Sequence, residues 1–268
     1  MKSKEFSHVD TIFSPRQQTL ENSILRHPGR KNAHPPTGSI IMAPSTLYIL
    51  LGLLGLGILV SLIWRFASRR QELPCPSWLG WMVEMDNPFT KVNRAPIIVE
   101  HLGLEPGDRV LDAGCGPGRL TLPLAAAVGP EGQVLALDIQ EEMLSRTWGK
   151  VQAASLDNVQ YIQAGLGEGK LPSEHFDHAV LVTVLGEIPD QASAMQEING
   201  TLKPGGILSV TEVIFDPHFQ RQETVVRLAE TAGFREKELF GHKLAYTLHF
   251  QKPQTHVTQM RDLEGKAA

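Results

Sequence analysis

The chain has 268 residues, of which 42% are hydrophobic and 20% charged, with a formal net charge of −4 and two cysteines. This composition excludes wholesale disorder and a disulfide framework, and no CxxC pair or Cys/His cluster points to structural zinc. The charge is uneven: residues 1–45 carry a net +3, residues 46–70 a further +3 and residues 71–268 a net −10. The long C-terminal part therefore lacks the basic surface that a nucleic-acid substrate requires.

Residues 1–45 contain Pro15, Pro28, Pro35 and Pro36 and show no sustained period, so a long helix is excluded. Two readings stay open: a disordered extension, or a non-native one, with the working chain starting at Met42. Leu47–Trp64 is an uncharged run of 18 residues dominated by Leu and Ile. About 17–25 such residues cross a bilayer core as a helix, so a transmembrane helix is expected over 46–66. A cleaved signal peptide is the competing reading, disfavoured by the length of the run and by the RFASRR that follows. Arg65, Arg69 and Arg70 follow the run closely, and the nearest preceding base is Lys31. That bias puts the C-terminal side in the cytoplasm, as a single-pass membrane protein. Gly57 and Ser61 form one small-xxx-small pair, a weak signal for helix pairing. Residues 67–90 read as a juxtamembrane linker or lid containing Trp78, Trp81, Met82 and Phe89. Cys75 there is either a palmitoylation site or a plain free thiol.

From residue 91 to 252 the pattern is one α/β domain. Helices are expected over Lys91–Leu102, Arg119–Val128, Glu141–Ala154, Gln191–Leu202 and Gln220–Ala232. Strands are expected over Arg109–Asp112, Gln133–Ile139, Val159–Gln163, Asp177–Val184 and Ile207–Ile214, with closing strands Arg235–Phe240 and Lys243–Gln251. This alternation predicts a doubly wound, mostly parallel sheet of seven strands. Residues 253–268 read as a disordered tail.

Val110-Leu-Asp-Ala-Gly-Cys-Gly-Pro-Gly118 carries the chemistry. A strand runs into a glycine turn that lets a ligand approach the backbone. A dinucleotide fingerprint places its third glycine three positions after the second, where this chain has Arg119. The observed pattern is instead DxGxGxG, with a further acid, Asp138, 20 residues past Gly118.

These features resemble the Rossmann-like class of S-adenosylmethionine-dependent methyltransferases. The resemblance spans about residues 90–252 and is greatest to the small-molecule branch that includes ubiquinone- and menaquinone-biosynthesis methyltransferases. It implies S-adenosyl-L-methionine as cofactor. The turn of Asp112, Gly114, Cys115, Gly116 and Gly118 would hold its methionine part and Asp138 its ribose, with Ile139, Gly165 and Leu166 also at the cofactor. Lys203-Pro-Gly-Gly206 matches the family's turn into its fifth strand, and the closing strands match its C-terminal antiparallel hairpin. One departure is Leu166, where relatives often carry an Asp for the adenine amino group. The adenine partner is then open between the Leu166 backbone N–H, Glu168 and none in this loop.

Val184-Leu-Gly-Glu-Ile-Pro-Asp190 follows the fourth strand, at the mouth where substrates enter such sheets. Glu187 is the candidate catalytic residue there, and capping of the next helix with Asp190 is the plainer reading. Asn-Pro-Pro-Tyr, a hallmark of many nucleic-acid amino methyltransferases, is absent at this position. Glu212, Asp216, His218, His242 and Tyr246 are further polar candidates, without metal-ligand spacing. The expected activity is methyl transfer to a small-molecule or lipid-like acceptor at the membrane, without nucleic acid. The alternative is a tethered scaffold that binds the cofactor without turnover.

Overall fold

The computed structural model of the chain describes residues 44–71, 84 and 90–254. The expected disorder of 1–43 and of 255–268, most of the expected linker or lid, and Cys75 lie outside these residues.

Helix α1 runs over Pro44–Gln71. Its leucines are exposed around its circumference, among them Leu47, Leu50, Leu53, Leu56 and Leu62. An amphipathic helix would bury one stripe and present a polar face, and residues 47–60 of α1 present none. Among the described residues no helix is long and apolar enough to cross a membrane. The side chains of α1 described without a break are those of 45–60, sixteen residues.

The domain that follows is built on one seven-stranded sheet in the order β3-β2-β1-β4-β5-β7-β6. Its strands are β1 (Arg109–Ala113), β2 (Gln133–Asp138), β3 (Val159–Gln163), β4 (Phe176–Val182), β5 (Leu202–Val213), β6 (Arg235–His242) and β7 (Ala245–Gln251). Strands β1 to β5 pair in parallel, and β7 inserts antiparallel between β5 and β6. The outer strand β6 is mostly exposed and carries Arg235, Glu236, Lys237 and Glu238, charges that discourage edge-to-edge pairing.

Alternate residues of the strands serve opposite faces. Val110, Val134 and Val180 pack with Ile98 and Leu102 of α2 (Ala95–Leu102) and with Leu124 and Val128 of α3 (Thr121–Val128). Ala136, on the same face as Val134, packs with Leu144 of α4 (Glu141–Ala153). Leu111, Ala179, Leu181 and Leu208 face the other way, onto Met195 and Ile198 of α5 (Gln191–Thr201) and Val225 and Ala229 of α6 (Gln222–Thr231). The domain is thus a Rossmann-like α/β fold with a mixed sheet, its helices on both faces.

Several boundaries differ from expectation by a few residues, two of them for clear local reasons. Helix α2 starts at Ala95 rather than Lys91, with Pro96 in its first turn, where a missing N–H costs nothing. Lys203-Pro-Gly-Gly206 is a bulge inside β5 rather than a turn before it. Leu202 already pairs with Phe176, and the register then jumps so that Ile207 pairs with His178. Lys203 secures this bulge by donating from Nζ to both carboxylate oxygens of Asp177, at 2.7 and 2.8 Å.

Candidate active site

The carboxyl ends of β1, β2 and β4 open onto one cavity. Its wall includes Gly114, Gly116, Asp138, Ile139, Gly165 and Leu166, together with Glu187 from the 3-10 turn Leu185–Glu187. With Asp216, eight of the candidate residues singled out in the sequence therefore meet there. Asp112, Cys115 and Gly118 belong to the same turn but do not line this cavity.

The glycine turn is built by its backbone. Gly114, Gly116 and Gly118 have φ of 72°, 53° and 83°, the left-handed region that a side chain disfavours. At Gly114 a Cβ would also collide with Val184. The amides of Gly114 and Cys115 both donate to the Leu137 carbonyl, at 2.8 and 2.9 Å. Asp138 Oδ2 accepts from the Gly116 N–H at 2.9 Å, and Oδ1 accepts from the Gln140 N–H at 2.9 Å. Thr147 Oγ1 donates to the Gly116 carbonyl, and Lys150 Nζ to the Pro117 carbonyl, both at 2.8 Å. Lys150 also pairs with Glu84 at 2.9 Å. Helix α4 and the end of β2 thus hold the turn from below.

Burial of Asp138 raises its carboxyl above the ordinary range, opposed by the Gln140 and Gly116 amides. A carboxylate has about four acceptor sites, and the Gln140, Gly116 and Ile139 amides leave room for a further donor. Asp112 is buried at the end of β1 and accepts from Thr121 Oγ1 at 2.6 Å. Burial pushes it up to about 6, against the pull of the Thr121 hydroxyl and the Arg119 charge. Arg119 donates to the Asn93 carbonyl at 2.7 Å, tying the turn to the segment before α2. The Cys115 thiol packs beside Ala136 and Leu144, and burial shifts its pKa upward, so it is held as a neutral thiol.

The remaining wall was only partly foreseen. Thr183, after β4, has a φ of 56°, the kind of backbone strain that concentrates at functional sites. Asp216 also lines the cavity. Glu197 of α5 accepts from the N–H of Gly167 and, at 3.1 Å, from that of Leu171, fixing the loop after β3. No local motif marks Glu197, because its partners lie about a helix and a strand away in sequence. Glu168 turns to Lys170 at 2.7 Å and does not line the cavity. Asp190 caps α5, accepting from the Ser193 N–H at 3.0 Å.

Glu212, Asp216, His218 and Tyr246 gather beside Glu187. His218 Nδ1 is 3.7 Å from Glu187 Oε1. Glu212 Oε2 accepts from the Gln220 N–H at 3.0 Å, and Tyr246 donates to the Gln220 carbonyl at 2.7 Å. Burial pushes Glu212 up to about 8, helped by the nearby Asp216 and Glu187 charges. His242 is elsewhere, at the end of β6, accepting from the Leu244 N–H at 3.3 Å. No cluster of three or more metal-ligating side chains occurs among the described residues.

This wall suits S-adenosylmethionine. Ile139, Met143, Ala164 and Leu166 offer apolar surface for a base, and Asp138 retains room to accept from a ribose hydroxyl. Of the described lining residues none is Lys or Arg, while Glu187 and Asp216 supply negative charge, complementary to a sulfonium.

Comparison with known proteins agrees. Residues 104–261 match the family described as Methyltransferase domain. A demethylmenaquinone methyltransferase of Staphylococcus aureus (strain JH9) is 35% identical over 115 residues, 43% of this chain and 47% of that protein. The chain spans about half the length of the curated relatives it matches. A crystal structure of a SAM-dependent methyltransferase from Aquifex aeolicus superposes with a TM-score of 0.60 at 22% identity, covering 67% of this chain and all of that one. The [4+2]-cyclase SpnF superposes at 0.54 and 20% identity over 60% of this chain and 81% of its own. These structural likenesses concern the fold alone. With the family match covering most of the domain, the chain belongs to the methyltransferase domain family.

Proposed function

We propose that this enzyme methylates a small, lipid-like acceptor at the cytoplasmic face of a membrane, with Asp112, Gly114, Cys115, Gly116, Gly118, Asp138, Ile139, Gly165 and Leu166 serving the cofactor. The observation that carries the methyl-transfer part is the shared cavity of the glycine turn, Asp138 and Glu187. The bound cofactor supplies an electrophilic methyl group, so much of the protein's contribution is alignment. The turn positions the donor, Asp138 holds its sugar and the apolar wall excludes water. Asp112 and Cys115 act through the turn's shape, and Glu187 faces the acceptor.

The lipid-like acceptor and the membrane location rest on two supports. Leu47–Trp64 is uncharged and followed by Arg65, Arg69 and Arg70, the pattern of a single anchor with its following domain in the cytoplasm. Matched relatives include demethylmenaquinone methyltransferases, whose name gives demethylmenaquinone as the methyl acceptor. The acceptor class is accordingly a quinol or a comparable lipid.

The test is transfer of label from methyl-tritiated S-adenosylmethionine into a dithionite-reduced total membrane-lipid extract, with the full chain in detergent. Label in a chloroform-soluble product is expected. Its absence, with S-adenosylmethionine binding intact by calorimetry, would overturn the proposed acceptor class.

A further inference from the structure

A second groove adjoins the donor cavity. Gly186, Ile188, Pro189, His218, Gln220 and Lys243 are among the residues that line it, and Ile188 and Pro189 wall both spaces. Glu187 lines the donor cavity, His218 lines the groove, and their side chains meet at 3.7 Å. The pair therefore straddles the boundary between the two.

Its geometry is held from behind. Gly186 packs so closely on the His218 carbonyl that a Cβ would overlap it. The His218 N–H donates to Asp216 Oδ1 at 2.7 Å, and Gln220 Nε2 donates to the His218 carbonyl at 2.9 Å. Gln220 is in turn fixed by Glu212 and Tyr246. Glu212 is 1% exposed, and its Oε1 finds no hydrogen-bond partner among the described residues. Burying an acid this deeply in a turn costs stability, and what the turn delivers is a fixed His218, itself 5% exposed.

We propose that Glu187 and His218 form a proton-accepting pair for the acceptor, which enters by the groove on the His218 side. This deepens the proposed function and rests on it. The acceptor atom's lone pair forms the new bond to the methyl carbon, the carbon–sulfur bond breaks, and its electron pair returns to sulfur. The acceptor's proton passes to the Glu187 carboxylate and then to His218 Nδ1, and the imidazolium releases its Nε2 proton to water through the groove. The gap of 3.7 Å is closed by a small movement of Glu187, as catalytic contacts tighten on binding. The acceptor class that needs this pair bears a proton on its nucleophilic atom, as a phenol, hydroquinone or ammonium does.

The test uses the same reduced lipid extract and the full chain. His218→Asn and Glu187→Gln should each lower turnover at neutral pH by about a hundredfold, and the double variant no further. His218→Asn should leave the S-adenosylmethionine dissociation constant within about twofold. The charged and titratable groups around the pair are Asp138, Glu212, Asp216, Arg221, Glu223, Lys243 and Tyr246, so variants are read as ratios to wild type at each pH. Near pH 10, where a phenolic acceptor ionises unaided (pKa about 10), those ratios should approach one. A purely structural role predicts a loss that does not recover with pH. Wild-type turnover retained by both variants, or a pH-independent deficit, would overturn the pair alone. No turnover by wild type overturns the proposed function and this role with it.

Discussion

The carboxylate of Asp138 accepts from the backbone N–H of Gly116 at 2.9 Å, joining the end of β2 to the turn after β1. One acid thus shapes the glycine turn and faces the cavity that the turn encloses.

Asp138→Ala should therefore fail twice, in cofactor affinity and in turn geometry. Hydrogen bonds to a charged group contribute about 1.5–3 kcal/mol each, so S-adenosylmethionine should bind about 10–150-fold more weakly by calorimetry. Asp138→Asn keeps the shape and one acceptor oxygen but places an amide nitrogen against a backbone N–H. It should melt between wild type and Asp138→Ala. Unchanged affinity in both variants would remove Asp138 from the cofactor site.

Glu212 gives a prediction about pH. Folded Glu212 holds its proton up to about 8, whereas an ordinary Glu loses it near 4.5. Between those values the folded state binds more protons than the unfolded state, so stability falls as pH rises through the window. The contribution is complete below 4.5 and is lost as pH rises through about 8. Glu212→Gln should flatten the decline by up to about 1.4 kcal/mol per pH unit, measured by urea unfolding across the window. Its amide oxygen can still accept from the Gln220 N–H. Glu187, Asp216, His218, Tyr246 and Glu223 surround the site in both proteins, as do the distant buried His178 and His249, so they form a common background. An equal slope in both would show that Glu212 ionises normally.

The glycine turn and the strand alternation are local features, which is why both are legible in the sequence. The DxGxGxG spacing demands a strand, a turn and a helix, and β1, the turn and α3 follow. The Lys203–Gly206 bulge was not legible, because Pro-Gly-Gly is turn chemistry locally and only pairing with β4 draws it into the sheet. His218 was a polar candidate in the sequence, but its pairing with Glu187 was hidden for a related reason. It stands 31 residues after Glu187, and only the adjacency of β4 and β5 brings them together. Its neighbours in sequence, Pro217 and Phe219, carry no motif. Glu187 could be placed at the mouth by counting strands, but not its partner.

Gly186 supplies an independent test of how the 214–220 turn is set. An added Cβ would overlap the His218 carbonyl and crowd Gln220 Nε2. Overpacking of this kind costs about 1–3 kcal/mol, and here it displaces His218 from Glu187. Gly186→Ala should therefore lower turnover of the lipid extract at least about tenfold, while S-adenosylmethionine binding, governed by the opposite wall, changes little. A drop in cofactor affinity as large as the drop in rate would show that the turn and the donor cavity are not separable.

The proposed anchor makes the last prediction. Leu47–Trp64 contains no charge, and an Arg at the centre of a spanning helix costs about 2.5–3.5 kcal/mol on insertion scales. Leu53→Arg and Leu56→Arg together place two such charges near the middle of the run. The full chain should stay in the pellet after alkaline carbonate extraction, and the double variant should be released. The proposed cytoplasmic side rests on Arg65, Arg69 and Arg70. Added protease should reach the C-terminal domain only in inside-out vesicles, and exchanging these arginines for glutamates should weaken that bias. Release of the unaltered chain by carbonate would remove the anchor, and with it one of the two supports for a membrane-soluble acceptor.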